Sequence, residues 1–364
     1  MASGTAALLL VSLLMAAAPG GGHAALFKAT VSNCTQLQAK IREYRDTMET
    51  KGGTFRVSLA CPADGGRYDD CVKPDDSFAV IQALVRLSGR GRVTLQAASS
   101  KCADGDARPR LAGAGTDGAR MFVLTGPGVQ LELNSLILDG LSLRPGIFAE
   151  NAKRLVLRKV DLQNFTASSC DAYSFLNKGC GGALLTYATP VTVEDGAFSG
   201  NTAAFSGSGG AIYAEAGTLT PGASKFFGGT ILAITRTIFK GNTATEGGAI
   251  YINKVSPKAA KVLCTKCTFT ANSGNCSAVQ SARSDFKKPS GGAGAPLTLD
   301  LGSRKSASSF AGNINLDGSK NTVCGSAVKS PQGKVTLSKV PKSVTGLTKA
   351  AVSTQFSDFL FTQS

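Results

Sequence analysis

Histidine and tryptophan are almost absent from this chain of 364 residues, which has one His and no Trp. A single His excludes a metal site built from several His and argues against a Ser/His/Asp relay. Charged residues make up only 17% of the chain, but the hydrophobic share of 43% is too high for intrinsic disorder. The 43 Gly follow no strict triplet period, which excludes collagen. The composition therefore predicts a folded core with little histidine-dependent chemistry.

Long apolar runs are lacking after the N-terminus. The run at residues 6–18 is followed by small residues that end at Ala24 and Ala25. This pattern is typical of a secretory signal peptide cleaved near Ala24, and the alternative is a buried N-terminal helix. No later stretch reaches the roughly 18 apolar residues that a membrane helix needs. The sequence therefore predicts a secreted, extracellular protein of the cell surface or cell wall, with no transmembrane segment.

Ten Cys all follow the predicted signal peptide, and an even number of Cys in an exported chain is typical of disulfides. The connectivity stays open, but three local pairs are candidates: Cys61–Cys71, Cys170–Cys180 and Cys264–Cys267. The last pair has the C-x-x-C spacing of a zinc or redox half-site. A second C-x-x-C and a His partner are lacking, so we expect a structural disulfide or packing of both Cys in the core, and no metal. Three Asn-x-Ser/Thr sequons are candidates for glycosylation: Asn33, Asn164 and Asn275.

One template, h-x-h-x-x-h-x-h with h mostly apolar, occurs five times. The copies begin at Leu131, Leu155, Val191, Leu232 and Val262, with spacings of 24, 36, 41 and 30 residues. Each half has the period of two of a strand, and the two-residue gap inverts the phase. A bend at the gap would turn all four h positions toward one interior. The spacings predict coils of a parallel β-helix with loops of variable length.

Two shorter motifs follow this template. An F-x-x-N series comprises Phe198 and Asn201, Phe239 and Asn242, and Phe269 and Asn272. A G-G-A series contains the pairs Gly181–Gly182, Gly209–Gly210 and Gly247–Gly248. We expect the Phe to stack inside the solenoid, the Asn to hydrogen-bond from coil to coil, and the Gly to permit close backbone approach. The alternative is a Gly-rich β-sandwich with coincidental repeats.

G-G-A-[IL] combined with F-x-x-N resembles the repeats of polymorphic outer membrane proteins and related adhesin-like surface proteins. The resemblance covers about residues 120–280. It implies a right-handed parallel β-helix of the pectin-lyase-like architecture. The first two template copies depart from the pattern, since Phe165 stands at the third place after Leu162.

The flanks of the repeats are predicted to close the solenoid. Residues 34–50 form an amphipathic helix with Leu37, Ile41 and Tyr44 on one face, which would cover the open N-terminal end. The predicted fold is thus an all-β, right-handed parallel β-helix with an N-terminal amphipathic capping helix. Its predicted segments are a signal peptide (1–24), an N-terminal cap with the first coils (25–119), the repeat core (120–280), and divergent C-terminal coils or a β cap (281–364).

An active site needs clustered carboxylates or a base beside them. Adjacent coils would set Arg158 and Lys159 beside Glu194 and Asp195, either as a solvated ion-pair corner or as an acid/base cluster that binds uronate. Only one coil supplies carboxylates there, and the repeats lack the Asn-Thr-Asp and Gly-His-Gly patterns of pectin-degrading hydrolases. We expect no catalytic residue and no cofactor. The alternative is a polysaccharide lyase or glycoside hydrolase that uses these four residues.

The net charge of +15 and the pI of about 9.5 indicate the partner. Outside the cell this charge favours an acidic polysaccharide or glycoprotein. Export and the lack of an aromatic-basic motif argue against nucleic acid. The preferred interpretation is a non-enzymatic, adhesin-like protein of the cell wall or extracellular matrix, whose exposed ends would allow association with copies of itself.

Overall fold

Strands dominate the computed structural model of the protein. The structure describes residues 26–50, 52–64, 66, 68, 85–87, 90–113, 120–167, 181–216, 229–253, 260–283, 297–300, 308–311, 313, 323–327, 335–340, 352–353 and 359–363. The predicted signal peptide lies outside the described residues, as do Cys71, Cys170 and Cys180.

The largest sheet in the described chain has sixteen strands, numbered here in chain order. Eleven strands form its main row: β1 (Leu26–Val31), β2 (Thr54–Leu59), β4 (Arg90–Ala97), β7 (Gly128–Asp139), β9 (Arg154–Gln163), β12 (Val191–Glu194), β16 (Gly229–Thr235), β20 (Ala260–Thr265), β24 (Leu297–Asp300), β27 (Val335–Val340) and β29 (Phe359–Gln363). Five strands form a side row that joins the C-terminal halves of β7 and β9: β5 (Arg110–Ala112), β13 (Ala197–Ser199), β17 (Ile238–Lys240), β21 (Thr268–Thr270) and β25 (Ser309–Ala311).

Two smaller sheets complete the described strands. The four-stranded sheet contains β10 (Thr166–Ala167), β14 (Thr202–Ser208), β18 (Thr243–Glu246) and β22 (Ser273–Asn275). The nine-stranded sheet contains β3 (Val85–Leu87), β6 (Phe122–Thr125), β8 (Ile147–Glu150), β11 (Leu184–Tyr187), β15 (Ile212–Glu215), β19 (Ile250–Asn253), β23 (Val279–Arg283), β26 (Val323–Ala327) and β28 (Val352–Ser353).

Every strand pair among the described residues is parallel. Successive strands belong to the sheets in a repeating order: β12 to β15 lie in the main row, the side row, the four-stranded sheet and the nine-stranded sheet, and β16 to β19 repeat this order. We call one such run of four strands a passage. Two parallel neighbours in one sheet need a crossover connection, and here the intervening strands of the passage form that connection. The all-β prediction is therefore correct, and the sheets are parallel.

The bend within the template has a backbone cause. All h positions of the five copies are buried. The fifth template place has positive φ, between 50° and 56°, in every copy: Ser135, Lys159, Asp195, Arg236 and Lys266. A single left-handed residue turns the chain between two strand segments, and this turn restores the inward direction after the phase change. One continuous cluster of buried apolar side chains results, and it extends from Val31 to Phe310.

Phenylalanines stack in one column inside this cluster. Ring centroids lie 5.1 Å apart between Phe198 and Phe239, 4.8 Å between Phe239 and Phe269, and 4.9 Å between Phe269 and Phe310. The ring planes are within 6° of parallel. The column follows from register, because Phe198 pairs with Phe239 and Phe239 pairs with Phe269 across the side row.

Asparagines form a hydrogen-bonded ladder beside the rings. The amide Nδ2 of Asn242 donates to the carbonyl oxygen of Phe198 (3.0 Å) and to Oδ1 of Asn272 (2.9 Å). Its Oδ1 accepts from both the backbone N–H (3.2 Å) and Nδ2 (2.9 Å) of Asn201. Asn313 continues the ladder by accepting from Asn272. The side chain of each interior Asn therefore satisfies turn backbone of the preceding passage, and its own backbone N–H donates to the Asn of the next passage.

Glycine pairs allow the passages to approach closely before the nine-stranded sheet. A Cβ on Gly210 would lie 2.2 Å from the carbonyl oxygen of Gly248, and one on Gly182 would lie 2.3 Å from that of Gly210. Such contacts exclude a side chain without backbone movement. The first glycine of the two later pairs has positive φ, 73° at Gly209 and 59° at Gly247. The remaining member, Gly181, is also buried.

The N-terminal helix α1 spans Cys34–Thr50 and buries Leu37, Ile41 and Tyr44. It contacts β1, β3 and β4. The side chain of Asn33 accepts from the backbone N–H of Gln36 (2.9 Å) and thereby caps the first turn.

The described disulfides include one between distant segments and one between near neighbours in the sequence. The predicted Cys61–Cys71 pair is wrong, because Cys61 is bonded to Cys102. Strand β2 pairs with β4 such that Leu59 faces Ala97, so the segments after both strands lie at the same end of the sheet. Cys264 and Cys267 form a disulfide with both residues buried. Cys34 and Cys276 are also disulfide-bonded, whereas the predicted Cys170–Cys180 pair lies outside the described residues.

We predict that Asn242→Ala destabilises the protein by about 3 kcal/mol, because it leaves several buried hydrogen-bonding groups without partners. Urea unfolding monitored by circular dichroism measures the change. The control is Thr243→Ala at the exposed neighbouring residue, with an expected cost below about 0.5 kcal/mol. Equal costs for the two variants would show that the ladder adds nothing to stability.

Candidate functional site

The charged corner predicted from the template lies at the bend between the main and side rows. Arg158 and Glu194 occupy the fourth template place and face one another in register on β9 and β12. Lys159 and Asp195 occupy the fifth place, where the left-handed conformation projects the side chains away from the core. Both fifth-place residues are exposed.

A chain of alternating charges crosses the main row. Arg158 Nε donates to Oε2 of Glu194 (3.0 Å), and its Nη1 donates to Glu132. Arg92 donates to the other carboxylate oxygen of Glu132. Burial alone would raise the pKa of Glu132, but the hydrogen bonds and charges of the two arginines outweigh burial and lower that pKa below its usual value. Glu132 therefore stays ionised and holds two arginines in place.

The fifth-place residues do not pair with each other. Lys159 Nζ contacts Oδ1 of Asp104 (2.8 Å), which lies in the segment between β4 and β5. Asp195 instead accepts two hydrogen bonds from Arg236, with 2.8 Å between Nη2 and Oδ2. The hydrogen bond from Arg236 lowers the pKa of Asp195. The expectation that Lys159 lies beside Asp195 holds for position, but each residue has another ion-pair partner.

An open groove of about 430 Å³ lies along this corner. Its charged lining carries three residues of each sign: Asp104, Asp161 and Asp195 against Arg108, Lys159 and Arg236. Arg108 donates to Asp161 and to the carbonyl oxygen of Lys159. Ile238, which is 49% exposed, adds an apolar edge.

Pairing limits the chemistry of the corner. Every carboxylate in the groove contacts a Lys or Arg: Asp104 with Lys159, Asp161 with Arg108, and Asp195 with Arg236. A general acid needs a raised pKa, whereas that of Asp195 is lowered. Asp139, another carboxylate near the bend, is buried and accepts from Arg110 (2.6 Å) and Gln163 (2.6 Å). The arrangement suits binding of charged groups better than proton transfer.

The predicted glycosylation sites differ in surroundings. Asn33 is exposed. Asn164 is partly buried, has a φ of 54°, and places its Nδ2 3.4 Å from both carboxylate oxygens of Asp139. Asn275 is partly buried at the end of β22. Glycosylation stays a prediction at all three.

A buried polar cluster on the nine-stranded sheet escaped the sequence analysis. Tyr187, Tyr213 and Tyr251 lie on successive strands, with ring centroids 5.9 Å and 5.4 Å apart. Glu215 accepts from the hydroxyl of Tyr213 (2.9 Å) and from Nδ2 of Asn253 (3.1 Å). Burial raises the pKa of Glu215 to about 7. The Tyr that follows G-G-A-I at 213 and 251 is the sequence signal that could have indicated the pair Tyr213–Tyr251, whereas Tyr187 stands two places later in register.

The fourth member of the Phe and Asn columns was also missed. Residues 310–313, Phe-Ala-Gly-Asn, repeat the F-x-x-N motif 41 residues after Phe269. The eight-residue template does not continue there, so a search that required both patterns would pass over it.

Within the described residues no helix is long and apolar enough to cross a bilayer. The same residues contain no cluster of three His, Cys, Asp or Glu side chains placed to hold a metal ion.

Comparison with known families supports the repeat interpretation. The chain matches the Chlamydia polymorphic membrane protein repeat at two places, residues 195–215 and 236–253. Each match begins at a bend residue, Asp195 or Arg236, and ends on the nine-stranded sheet, so it covers most of one passage. The predicted resemblance is thus confirmed at these two places. No curated protein and no solved structure shows significant similarity to the chain.

We predict that Glu132→Gln lowers the free energy of unfolding at pH 7 by about 1–2 kcal/mol, because it removes the charge between two arginines. The folded pKa is below the unfolded value, so this stability is present above about pH 4.5 and is lost as the pH falls through the folded pKa. Denaturant unfolding of both proteins at several pH values measures this difference in unfolding free energy. A stability difference between the proteins that does not narrow as the pH falls below about 4.5 would contradict the ionic origin.

For Glu215→Gln, the difference in unfolding free energy from wild type should depend on pH in the opposite sense. Because the folded pKa is raised, the wild-type protein loses stability as the pH rises from about 4.5 to about 7, by roughly 1–3 kcal/mol. Glutamine keeps an acceptor oxygen but does not ionise, so the variant gains stability relative to wild type between pH 5 and pH 8. The exposed Glu43→Gln serves as the control and should run parallel to wild type. If the unfolding free energies of both variants change with pH in parallel with wild type, the prediction is contradicted.

Proposed function

We propose that this protein is a surface-exposed, adhesin-like, non-enzymatic protein built on a right-handed parallel β-helix. The observation that supports this most directly is the double match to the polymorphic membrane protein repeat, with its Phe and Asn motifs in register. Parallel strands joined by crossovers are right-handed in about 98% of cases, which supports the handedness. Passages that stack in this way produce long lateral faces that suit extended partners.

The helix α1 is proposed to cap the N-terminal end of this β-helix. Its apolar face packs onto β1, β3 and β4. The ring of Tyr44 lies 4.5 Å from that of Phe55 on β2. A cover of this kind would protect the first layer of the core from water.

Export to the cell surface, cell wall or extracellular matrix is proposed from the N-terminal apolar run and the Cys content. The disulfides include Cys61–Cys102 and Cys264–Cys267. Glycosylation at the three sequons would accord with this route.

The partner is proposed to be an acidic polysaccharide or glycoprotein. A net charge of +15 attracts polyanions over a range set by ionic strength. The corner groove offers Arg and Lys side chains, but its carboxylates are already ion-paired. We therefore assign it no turnover.

We predict that the secreted chain binds acidic glycans on an array, more tightly at low salt than at high salt, and releases no product from polygalacturonate or alginate. Asp195→Asn should leave binding within about threefold of wild type, because an exposed ion pair contributes little. Reducing-end release and ultraviolet absorbance of unsaturated uronate measure turnover. Turnover that Asp195→Asn or Glu194→Gln abolishes would establish the lyase or hydrolase alternative and overturn the proposal.

A further inference from the structure

We infer that the outward face of β1, β2 and β4 and of the N-terminal halves of β7 and β9 is the surface that binds polyanionic polysaccharide. We call it the cationic face. The inference rests on the proposed function and assigns its ligand to one part of the molecule.

The register of the strands gathers the cations of this face. Alternate residues point into the core, as the burial of Phe55, Val57 and Leu95 shows. The outward positions carry six cations: Lys28, Arg56, Arg90, Arg92, Arg154 and Arg158. Lys28 faces Arg56 directly across β1 and β2. Neighbouring strands lie about 4.8 Å apart, so the five strands span roughly 19 Å.

Little negative charge opposes these cations. Glu132 is the acidic residue at the outward positions of this face, and Glu194 on the adjacent β12 also pairs with Arg158. This leaves six cations against two carboxylates, a formal charge of +4. The side chain of Glu132 is only 7% exposed, whereas those of Arg92 and Arg158 are 47% and 40% exposed. The Glu132 carboxylate thus anchors two guanidinium groups from beneath, and these groups still reach solvent.

The chemistry of the face favours polysaccharide among polyanions. Guanidinium groups bind carboxylate or sulfate in a bidentate manner. Partly exposed hydroxyl and amide side chains lie between the cations and can hydrogen-bond sugar hydroxyls: Thr54, Ser58, Gln96, Gln130 and Asn134. The outward positions carry no aromatic ring on which nucleic acid bases could stack. A row of cations across parallel strands fits a polymer that repeats its anion along an extended chain.

The test compares two variants of the full secreted chain that lose the same charge. The face variant combines Lys28→Gln, Arg56→Gln, Arg90→Gln and Arg154→Gln. Arg92 and Arg158 are retained, because their loss would leave Glu132 buried beside fewer cations. The control variant removes four exposed cations elsewhere: Arg42→Gln, Lys101→Gln, Lys240→Gln and Lys266→Gln. Circular dichroism and thermal unfolding establish that both variants fold.

Binding is measured to polygalacturonate, dextran sulfate, uncharged dextran, duplex DNA and phosphatidylserine vesicles, at about 50 mM and about 300 mM NaCl. We expect wild type to bind at least one anionic polysaccharide but not dextran, with binding that weakens at the higher salt. The face variant should bind on the order of tenfold more weakly, and the control variant within about threefold of wild type. Polygalacturonate and dextran sulfate distinguish carboxylate from sulfate recognition.

Three results would overturn the inference. If the face variant and the control variant bind equally, the cationic face is not the site, although acidic glycan binding stands. If wild type binds neither anionic polysaccharide, the proposed partner fails as well. If DNA or vesicles bind more tightly than both polysaccharides, the face belongs to another class of polyanion.

Discussion

Parallel hydrogen bonding between strands of successive passages is the constraint on which the rest of the structure depends. A strand such as β17 has parallel neighbours on both sides, β13 and β21, and each belongs to a different passage. Its backbone groups are satisfied only if those passages keep the same register. Register therefore places equivalent residues directly above one another, and any residue type that recurs at one template place forms a column.

Because equivalent residues lie above one another, the interior places favour residue types that pack or hydrogen-bond well with a copy of themselves. Flat Phe rings do so with planes nearly parallel, as between Phe239 and Phe269. Asn can donate to and accept from another Asn, so one residue type extends a buried ladder from Asn201 to Asn313. Ser or Thr has a single rotating hydroxyl and would leave part of this network unmade. Gly at the corner permits backbones to approach where any Cβ would collide.

Sequence periodicity could predict the interior but not the contacts between distant segments. The phase inversion after Leu133 requires a bend, and the left-handed Ser135 provides it. Residue type could not show that Cys61 bonds Cys102, because that pairing depends on how β2 and β4 align. The same limit applies to Lys159, whose partner Asp104 lies in an insertion between strands. The pKa of Glu215 depends on burial, which strand alternation alone does not reveal.

Inward positions contribute to the stability of the fold, whereas outward positions are available for binding a partner. Inward places are restricted to residues that pack or form columns, whereas outward places vary from one passage to the next. Along the fourth template place the outward residue changes from Asn134 to Arg158, then to Glu194, and then to Thr235 and Thr265. The fold therefore does not require a cation at any of these places. The concentration of cations on the first strands is thus not required by packing, since salt bridges at exposed positions add little stability, and this supports the proposed polyanionic partner.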